Sequence, residues 1–238
     1  MGNKSALKNY QLEVLFEDNH LIAVNKPSGV LVQGDKTGDE PLSDKVKHFL
    51  AKKYNKPGEA YLGVPHRIDR PTSGLVLLAK TSKALVRLNK MFQEKQIAKT
   101  YWAVVKNKPK PEEATLVHFL KRDPKKNKSF AHLKEVNDSK QAELTYRLIL
   151  SLDNYHLLVV YPKTGRHHQI RSQLSAIGCP IKGDLKYGFD RSNSDASIHL
   201  HARSIEFVHP VSQEKIKISA PPPSAEPVWK AILSKMKA

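Results

Sequence analysis

The stretch HRIDRPTSGLVLLA, residues 66–79, joins a loop dense in charged side chains to a short apolar run. Residues 74–79 begin with glycine and are apolar at successive positions, which is typical of a strand buried on both faces of a sheet. The charged half is bounded by proline and glycine, and irregular loops of this kind present functional side chains from a rigid scaffold. The stretch therefore predicts a buried strand with a functional loop directly before it.

The segments before and after this strand show helix and strand patterns in turn. Residues 14–16 and 21–24 indicate a hairpin. Apolar residues at helical spacing predict helices over residues 42–54 and 82–92, the second with Ser82 as its N-cap.

The C-terminal half is mostly strand-like. Alternating or continuous apolar patterns predict strands at residues 99–105, 115–120, 130–136, 142–150, 155–161 and 197–208, with residues 122–129 as a basic hairpin tip. A short helix is expected between Thr164 and Gly178, and a terminal helix carries Trp229, Ile232, Leu233 and Met236 on one face. We therefore predict an α+β fold with a mixed, mostly antiparallel sheet and flanking helices. No repeat or long linker divides the chain, so one domain is expected over residues 1–238, with a short extension over residues 1–10.

The charge of the chain points to an anionic partner. Its 238 residues include 40 Lys and Arg against 23 Asp and Glu, a net charge of +17. Nucleic acid is the first expectation for such an excess, and a lysine-rich surface adapted for solubility is the alternative.

The single cysteine, Cys179, leaves no intramolecular disulfide and no cysteine-only zinc cluster. Apolar runs too short for a bilayer span and an N-terminus without an export signal predict a cytoplasmic protein that does not enter membranes.

Asp69 is the residue of the charged loop best suited to chemistry. Arg67 and Arg70 flank it, and guanidinium groups favour the ionised form of a carboxylate, which suits a nucleophile better than a general acid. The alternative is a structural Asp–Arg pair that fixes a turn.

Two further segments carry candidate functional groups. TGRHHQIR, residues 164–171, is expected to open a helix whose N-terminus, with Arg166 and Arg171, would receive phosphate or carboxylate. A metal site formed by His167, His168, His199 and His201 is a weaker alternative, because no carboxylate accompanies them at a recognisable zinc spacing.

In KTYWAVV, residues 99–105, the side chains of Tyr101 and Trp102 point to opposite faces of a strand, so one of them belongs to the core. Tyr101 is either that core residue or one that stacks on a base or transfers a proton.

These motifs, in this order, resemble those of the pseudouridine synthases that modify ribosomal and transfer RNA, specifically the large-subunit ribosomal RNA type typified by members C, D and A. The similarity extends over nearly the whole chain. It includes NKPSG at residues 25–29, HRIDRPTSG at 66–74, KTYWAVV at 99–105, TGRHHQIR at 164–171, GDLKYG at 183–188 and LHARSIEFVHP at 200–210. Ile68 stands where leucine is commoner in the family, and Pro71 stands where an acidic residue is frequent.

The resemblance implies a cofactor-free, metal-free isomerisation that detaches uracil from its ribose, turns it and rejoins it through C5. Asp69 is then the catalytic aspartate, Tyr101 stacks on the base and takes the C5 proton, and Arg171 is the basic partner of the aspartate. Residues that bind phosphates or the flipped nucleotide would be His66, Arg67, Arg70, Arg166 and His168. A central basic cleft is expected to hold the catalytic residues. Many relatives carry an N-terminal S4 RNA-binding domain, for which this chain leaves no room, so RNA affinity is expected from the catalytic domain's own surface or from a partner.

The sequence therefore predicts a monomeric enzyme that converts specific uridines to pseudouridine in structured RNA, with ribosomal RNA as the first expectation and transfer RNA as the second. One alternative is a non-catalytic RNA-binding or ribosome-assembly protein on the same fold. Another is a metal-independent RNA hydrolase that uses His66, His167 or His168 as acid and base.

Overall fold

The computed structural model of the protein describes residues 10–237. Within this range it has an α+β fold with a mixed sheet of ten strands and four flanking helices, which confirms the predicted fold class. The chain packs as two compact units. The first consists of the residues up to Ala98 together with Ala202–Pro222, and the second of Lys99–His201 and the residues from Pro223 onward. The single domain over residues 1–238 stays a prediction, and most of its N-terminal extension lies outside the described residues.

The first unit is a sheet in the order β1-β2-β3-β9, with β10 paired to β9. Its elements are β1 (Glu13–Glu17), β2 (Leu21–Lys26), helix α1 (Leu42–Lys53), β3 (Ser73–Ala79), helix α2 (Ser82–Gln93), β9 (Leu200–Val208), which begins in the second unit, and β10 (Lys215–Ser219). Every residue of β3 is buried, as the continuous apolar pattern predicted. At the start of β3, Gly74 has φ +111°, and a Cβ there would lie 2.6 Å from the backbone nitrogen of Ala202, so only glycine fits.

The second unit is an antiparallel sheet in the order β4-β8-β7-β5-β6. Its elements are β4 (Ala98–Val105), β5 (Glu113–Asp123), β6 (Lys128–His132), β7 (Ser139–Ser151), β8 (His156–Pro162), helix α3 (Gln169–Ala176), a 3-10 turn (Leu185–Tyr187) and helix α4 (Pro227–Lys235). Residues of α3, among them Ile170 and Leu174, pack into a core with β4, β7 and β8. Trp229 and Ile232 of α4 pack against a separate cluster that contains Trp102.

Several predicted boundaries were wrong. Ser82 is the first residue of α2, and Thr81 is the N-cap, whose hydroxyl accepts a hydrogen bond from the Ala84 amide at 3.2 Å. Strand β10 was not predicted. Met236, predicted on the apolar face of the terminal helix, is the C-cap of α4 and is 44% exposed.

Among residues 10–237, no helix is long and apolar enough to cross a membrane.

Glu17, at the end of β1, is a buried carboxylate with three polar partners. Its oxygens accept hydrogen bonds from Lys53 and Lys80 at 2.7 Å each and from the Tyr54 hydroxyl at 2.6 Å. Burial raises the pKa of Glu17, but these hydrogen bonds outweigh that effect and lower the pKa to about 2. The cluster connects β1 to the end of α1 and to the residue after β3.

We expect Glu17→Gln to remove an acid-sensitive part of the stability. Because the pKa of Glu17 is lowered in the folded state, its contribution is complete above the unfolded value of about 4.5 and is lost as the pH falls toward 2. After allowance for solvent screening, the contribution is about 1–2 kcal/mol at pH 7. Urea unfolding at pH 7 and pH 3 should show a wild-type advantage at pH 7 that shrinks at pH 3. An equal difference at both pH values would contradict this account.

Candidate active site

Asp69 lies at the start of a tight turn in the first unit. The Thr72 amide donates a hydrogen bond to the Asp69 carbonyl at 3.0 Å, which closes the turn over residues 69–72. The Asp69 side chain is half-buried, whereas Ile68 before it and Thr72 after it are buried. The charged loop is therefore ordered on both sides of the carboxylate, as a loop that positions a reactive group requires.

The turn is attached to the segment that follows β2. Antiparallel pairing places Lys26, the last residue of β2, opposite Gly74 in β3, so the residues after β2 run beside the loop before β3. The Gly29 amide donates to the Arg70 carbonyl at 2.8 Å, and the Ser28 hydroxyl donates to the Pro71 carbonyl at 2.8 Å. The Arg70 Nε returns a hydrogen bond to the Gly29 carbonyl at 2.9 Å. The NKPSG motif therefore holds the backbone of the loop that carries Asp69.

Lys26 places a buried amino group beneath this turn. Its side chain is fully buried, and its ammonium donates to the carbonyls of Pro27 at 3.0 Å, Val30 at 2.8 Å and Arg70 at 3.2 Å. Three N–H groups thus meet three carbonyl acceptors. Burial lowers the pKa of Lys26 to about 7, an effect that the Asp69 carboxylate opposes and the Arg70 guanidinium reinforces. Asp69 therefore lies within electrostatic reach of a buried lysine as well as of arginine.

The other residues predicted from this loop differ in their surroundings. The His66 Nε2 accepts a hydrogen bond from the Leu77 amide at 2.9 Å, and its ring packs on Phe92 with centroids 4.7 Å apart. Arg70 also forms an ion pair with Asp39 at 2.6 Å, so its guanidinium has partners within the protein. Arg67 is exposed to solvent. Of the three, Arg67 is exposed, while His66 and Arg70 have contacts within the protein, and a nucleotide-binding role for each stays a prediction.

Tyr101 and Trp102 occupy β4 of the second unit, on opposite faces as predicted. Trp102 is buried and packs with Trp229. Tyr101 is half-buried and packs only partly against the other core cluster. Trp102 is therefore the core aromatic, and Tyr101 is the one with part of its ring outside the core.

Arg171, in the first turn of α3, forms a buried bidentate ion pair. Its Nε and a terminal nitrogen donate to the two oxygens of Asp184 at 2.7 and 2.8 Å. The side chains of Arg171 and Asp184 are 5% and 1% exposed. The Arg171 guanidinium also lies 5.0 Å from the ring centroid of Tyr187. A planar fork held on two sides in this way has one orientation, which a positioned catalytic donor needs.

The segment before α3 differs from its prediction. The helix begins at Gln169 rather than near Thr164, because His168 takes a left-handed conformation with φ +52°. His167 therefore lies outside the helix. The first turn of α3 is buried, and the Gln169 side chain accepts hydrogen bonds from the Arg166 amide at 3.0 Å and the Thr164 hydroxyl at 2.7 Å. The Gln169 amide at this helix end donates to the Arg166 carbonyl at 3.1 Å, and the anion-binding role of the helix end stays a prediction.

Two predicted binding residues of this segment have different exposures. Arg166 is exposed, and its Nε donates to the Gln141 carbonyl at 3.1 Å, which leaves the end of the guanidinium toward solvent. The His168 Nδ1 is 3.0 Å from the Tyr187 hydroxyl, and its ring stacks on His167 with centroids 3.8 Å apart. Arg166 is thus an exposed side chain and His168 is part of a side-chain network, and the ligand-binding role of both stays a prediction.

The four histidines of the alternative metal site have protein partners. The His167 Nδ1 is 2.9 Å from the Ser129 hydroxyl, and the His199 Nε2 is 2.7 Å from Glu226. The His201 ring packs edge-on against Trp229. Within residues 10–237, no group of three or more metal-ligating side chains is present.

Sequence reasoning assigned no role to Lys26, Asp184 or Tyr187. All three lie within motifs that had been noted, NKPSG and GDLKYG, so a signal existed. Each of them also contacts a residue of another motif or strand, namely Arg70 for Lys26, Arg171 for Asp184 and Ser129 for Tyr187, and no pattern within one motif reports such contacts.

Comparison with known proteins identifies the family. A family model described as RNA pseudouridylate synthase matches residues 20–176. A ribosomal large subunit pseudouridine synthase C from Rickettsia bellii is 35% identical over 216 residues, 89% of this chain and 68% of that protein. A ribosomal large subunit pseudouridine synthase D from Borreliella burgdorferi is 34% identical over 205 residues, 83% of this chain and 61% of that protein. The solved structure of human RNA Pseudouridylate Synthase Domain Containing 4 has a TM-score of 0.72 at 24% identity, covers 90% of this chain and 88% of its own, and bears on the fold alone.

The fold and the matched sequence define an isomerase that acts on RNA. The chain belongs to the RNA pseudouridylate synthase family, as its motifs had indicated.

Asp184→Ala is expected to destabilise the second unit strongly. Removal of one partner from a buried, bidentate ion pair typically costs about 3 kcal/mol or more in stability, because the remaining buried charge no longer has an opposite charge beside it. Asp190→Ala is a matched control on the same loop: Asp190 pairs with Lys106 at 3.2 Å but is 70% exposed, and such pairs contribute about 0–1 kcal/mol. Urea unfolding should separate the two variants. Equal unfolding free energies would mean that the Arg171 pair is not structurally important.

Proposed function

We propose that this RNA pseudouridine synthase modifies specific uridines of large-subunit ribosomal RNA, with Asp69 as its nucleophile or base. The observation that carries the proposal is the attachment of the Asp69 turn to the NKPSG segment by several hydrogen bonds, which orders one half-buried carboxylate. The choice of RNA rests on the names of relatives at 34–35% identity, which are large-subunit ribosomal RNA enzymes. Transfer RNA is the second candidate substrate.

The proposed reaction exchanges one bond for another without a cofactor. The bond from C1′ to N1 of uracil breaks, a bond from C1′ to C5 forms, the C5 proton leaves and N1 gains a proton. Asp69 attacks the ribose C1′, attacks uracil C6 or removes a ribose proton, and each route needs its ionised form. Extrusion of the uridine from its stack costs a few kcal/mol, which contacts with the exposed Arg67 and Arg166 would offset.

Arg171 and Tyr101 complete the proposed chemistry from the second unit. The family resemblance makes Arg171 the proposed basic partner of the aspartate, and within its own unit Asp184 and Tyr187 restrict its guanidinium to one orientation. Tyr101 is suited to stack on the uracil and to take the C5 proton through its hydroxyl. The monomeric state and the cytoplasmic location remain predictions.

Asp69→Asn should abolish turnover and leave RNA binding nearly intact, since the amide is isosteric but cannot act as a nucleophile or base. Tritium release from RNA labelled at C5 of uridine measures turnover, and the labelled RNA is taken from cells that lack the enzyme. Asp190→Asn, an exposed carboxylate, is the control that should retain wild-type release. Release from transfer RNA but not from large-subunit ribosomal RNA would overturn the proposed substrate. Wild-type turnover by Asp69→Asn would overturn the proposed role of Asp69.

Tyr101→Phe separates stacking from proton transfer. The ring remains and the hydroxyl is lost, so a proton-transfer role predicts a fall in kcat of about a hundredfold or more with little change in KM. Tyr101→Leu, which also loses the ring, should weaken the enzyme further. If Tyr101→Phe keeps full kcat while Tyr101→Leu does not, Tyr101 acts by stacking alone.

A further inference from the structure

The turn between β5 and β6 carries the densest local charge of the second unit. Residues 121–130, KRDPKKNKSF, form what we call the basic hairpin, and they include five basic residues and one acidic residue. Lys121, Arg122, Lys125 and Lys126 are exposed to solvent. The one acidic side chain, Asp123, accepts a hydrogen bond from the Lys126 amide at 3.0 Å and so serves the turn itself. The hairpin therefore presents a surface of nearly uniform positive charge.

The basic hairpin is fixed in place rather than free to move. The Lys186 ammonium donates to the Asn127 carbonyl at 3.1 Å, and the Ser129 amide donates to the Tyr187 hydroxyl at 2.8 Å. Tyr187 also lies against Arg171, with the guanidinium 5.0 Å from the ring centroid. One tyrosine therefore contacts both the hairpin and the proposed catalytic arginine, so the exposed lysines have a set position relative to Arg171.

An exposed aromatic ring adds a second feature typical of nucleic-acid binding. Phe130 is 37% exposed and lies on the opposite face of β6 from the buried Ser129. The ammonium groups of Lys126 and Lys128 lie 5.9 and 5.4 Å from its ring centroid. Ammonium groups beside an exposed ring can bind phosphate while the ring stacks on a base, a combination that single-stranded and looped RNA favours.

We propose that the basic hairpin binds the RNA backbone close to the target uridine and fixes the register of the RNA at the active site. The inference deepens the proposed function and rests on it. The charge of the basic hairpin complements a polyanion, and its exposed ring fits an unstacked base. The attachment of the hairpin through Tyr187 gives the bound RNA a defined position beside Arg171.

The test compares two triple variants that lose the same charge. In the first, Lys121→Gln, Lys125→Gln and Lys126→Gln neutralise exposed residues of the hairpin. In the control, Lys83→Gln, Lys215→Gln and Lys217→Gln neutralise exposed residues of the first unit. Binding to large-subunit ribosomal RNA transcribed in vitro is measured by filter retention over a range of salt concentrations, and turnover is measured by tritium release. Circular dichroism checks that both variants fold.

The hairpin triple variant should bind RNA about tenfold more weakly at low salt, and its plot of log K against log salt should be shallower by about 2. The loss in turnover should fall mainly on KM. The control variant should differ much less from wild type in affinity, slope and KM. Phe130→Leu, which keeps an apolar side chain but no ring, should weaken binding about fivefold with no change in slope, because stacking releases no counterions.

Equal effects of the two triple variants would overturn the proposal, because RNA binding would then depend on the total charge of the protein and not on where that charge lies. An unchanged salt slope in the hairpin variant would also overturn the proposal. So would competition by polyglutamate that is as effective as competition by RNA, because it would indicate an acidic protein partner. The outcome is separable from that of the proposed function. Absence of tritium release from wild-type protein refutes the reaction, whereas the comparison of salt slopes still decides whether the hairpin binds RNA.

Discussion

The loop that carries Asp69 depends on its attachment to the residues that follow β2. Lys26, Ser28 and Gly29 contribute hydrogen bonds to the carbonyls of Arg70 and Pro71, and the Lys26 ammonium is fully buried among carbonyl oxygens. Each bond contributes only about 1 kcal/mol to net stability, but loss of a buried donor leaves its acceptor unsatisfied at greater cost. The loop consequently has few alternative conformations. This order suits the role proposed for Asp69, because a catalytic carboxylate acts efficiently only when it is held in a productive position.

A second buried charge orders the other proposed catalytic group. In the second unit, Arg171 is held by both oxygens of Asp184 and by the ring of Tyr187. Buried ion pairs seldom add much net stability, because desolvation of the two charges offsets their attraction. The value of this pair is geometric, since a bidentate fork allows one orientation of the guanidinium. Each unit thus places a buried ionisable group near a residue proposed for the reaction: Lys26 near Asp69 in the first unit, and Asp184 beside Arg171 in the second.

The net charge of +17 has a more specific meaning once the structure is known. Composition alone favours a polyanion partner and leaves a lysine-rich surface adapted for solubility as the alternative. Family membership makes RNA the substrate class, and the basic hairpin concentrates exposed lysines beside an exposed aromatic ring. Other lysines have structural roles: Lys80 binds Glu17, and Lys186 holds the hairpin turn. The charge is therefore divided between residues that hold the fold together and residues free to meet RNA.

The sequence by itself determined the fold class, the buried strand β3 and the motifs that identify the family, because each depends on local periodicity or on residues adjacent in the chain. It left open which of Tyr101 and Trp102 is the core aromatic, and the packing of Trp102 on Trp229 decided that. It was wrong about the start of α3, since the left-handed conformation of His168 and the capture of the Gln169 side chain depend on tertiary contacts. Only the tertiary structure decided the partners of Lys26 and Asp184. Those contacts join residues brought together by strand pairing and by packing, so no pattern within one segment contains them.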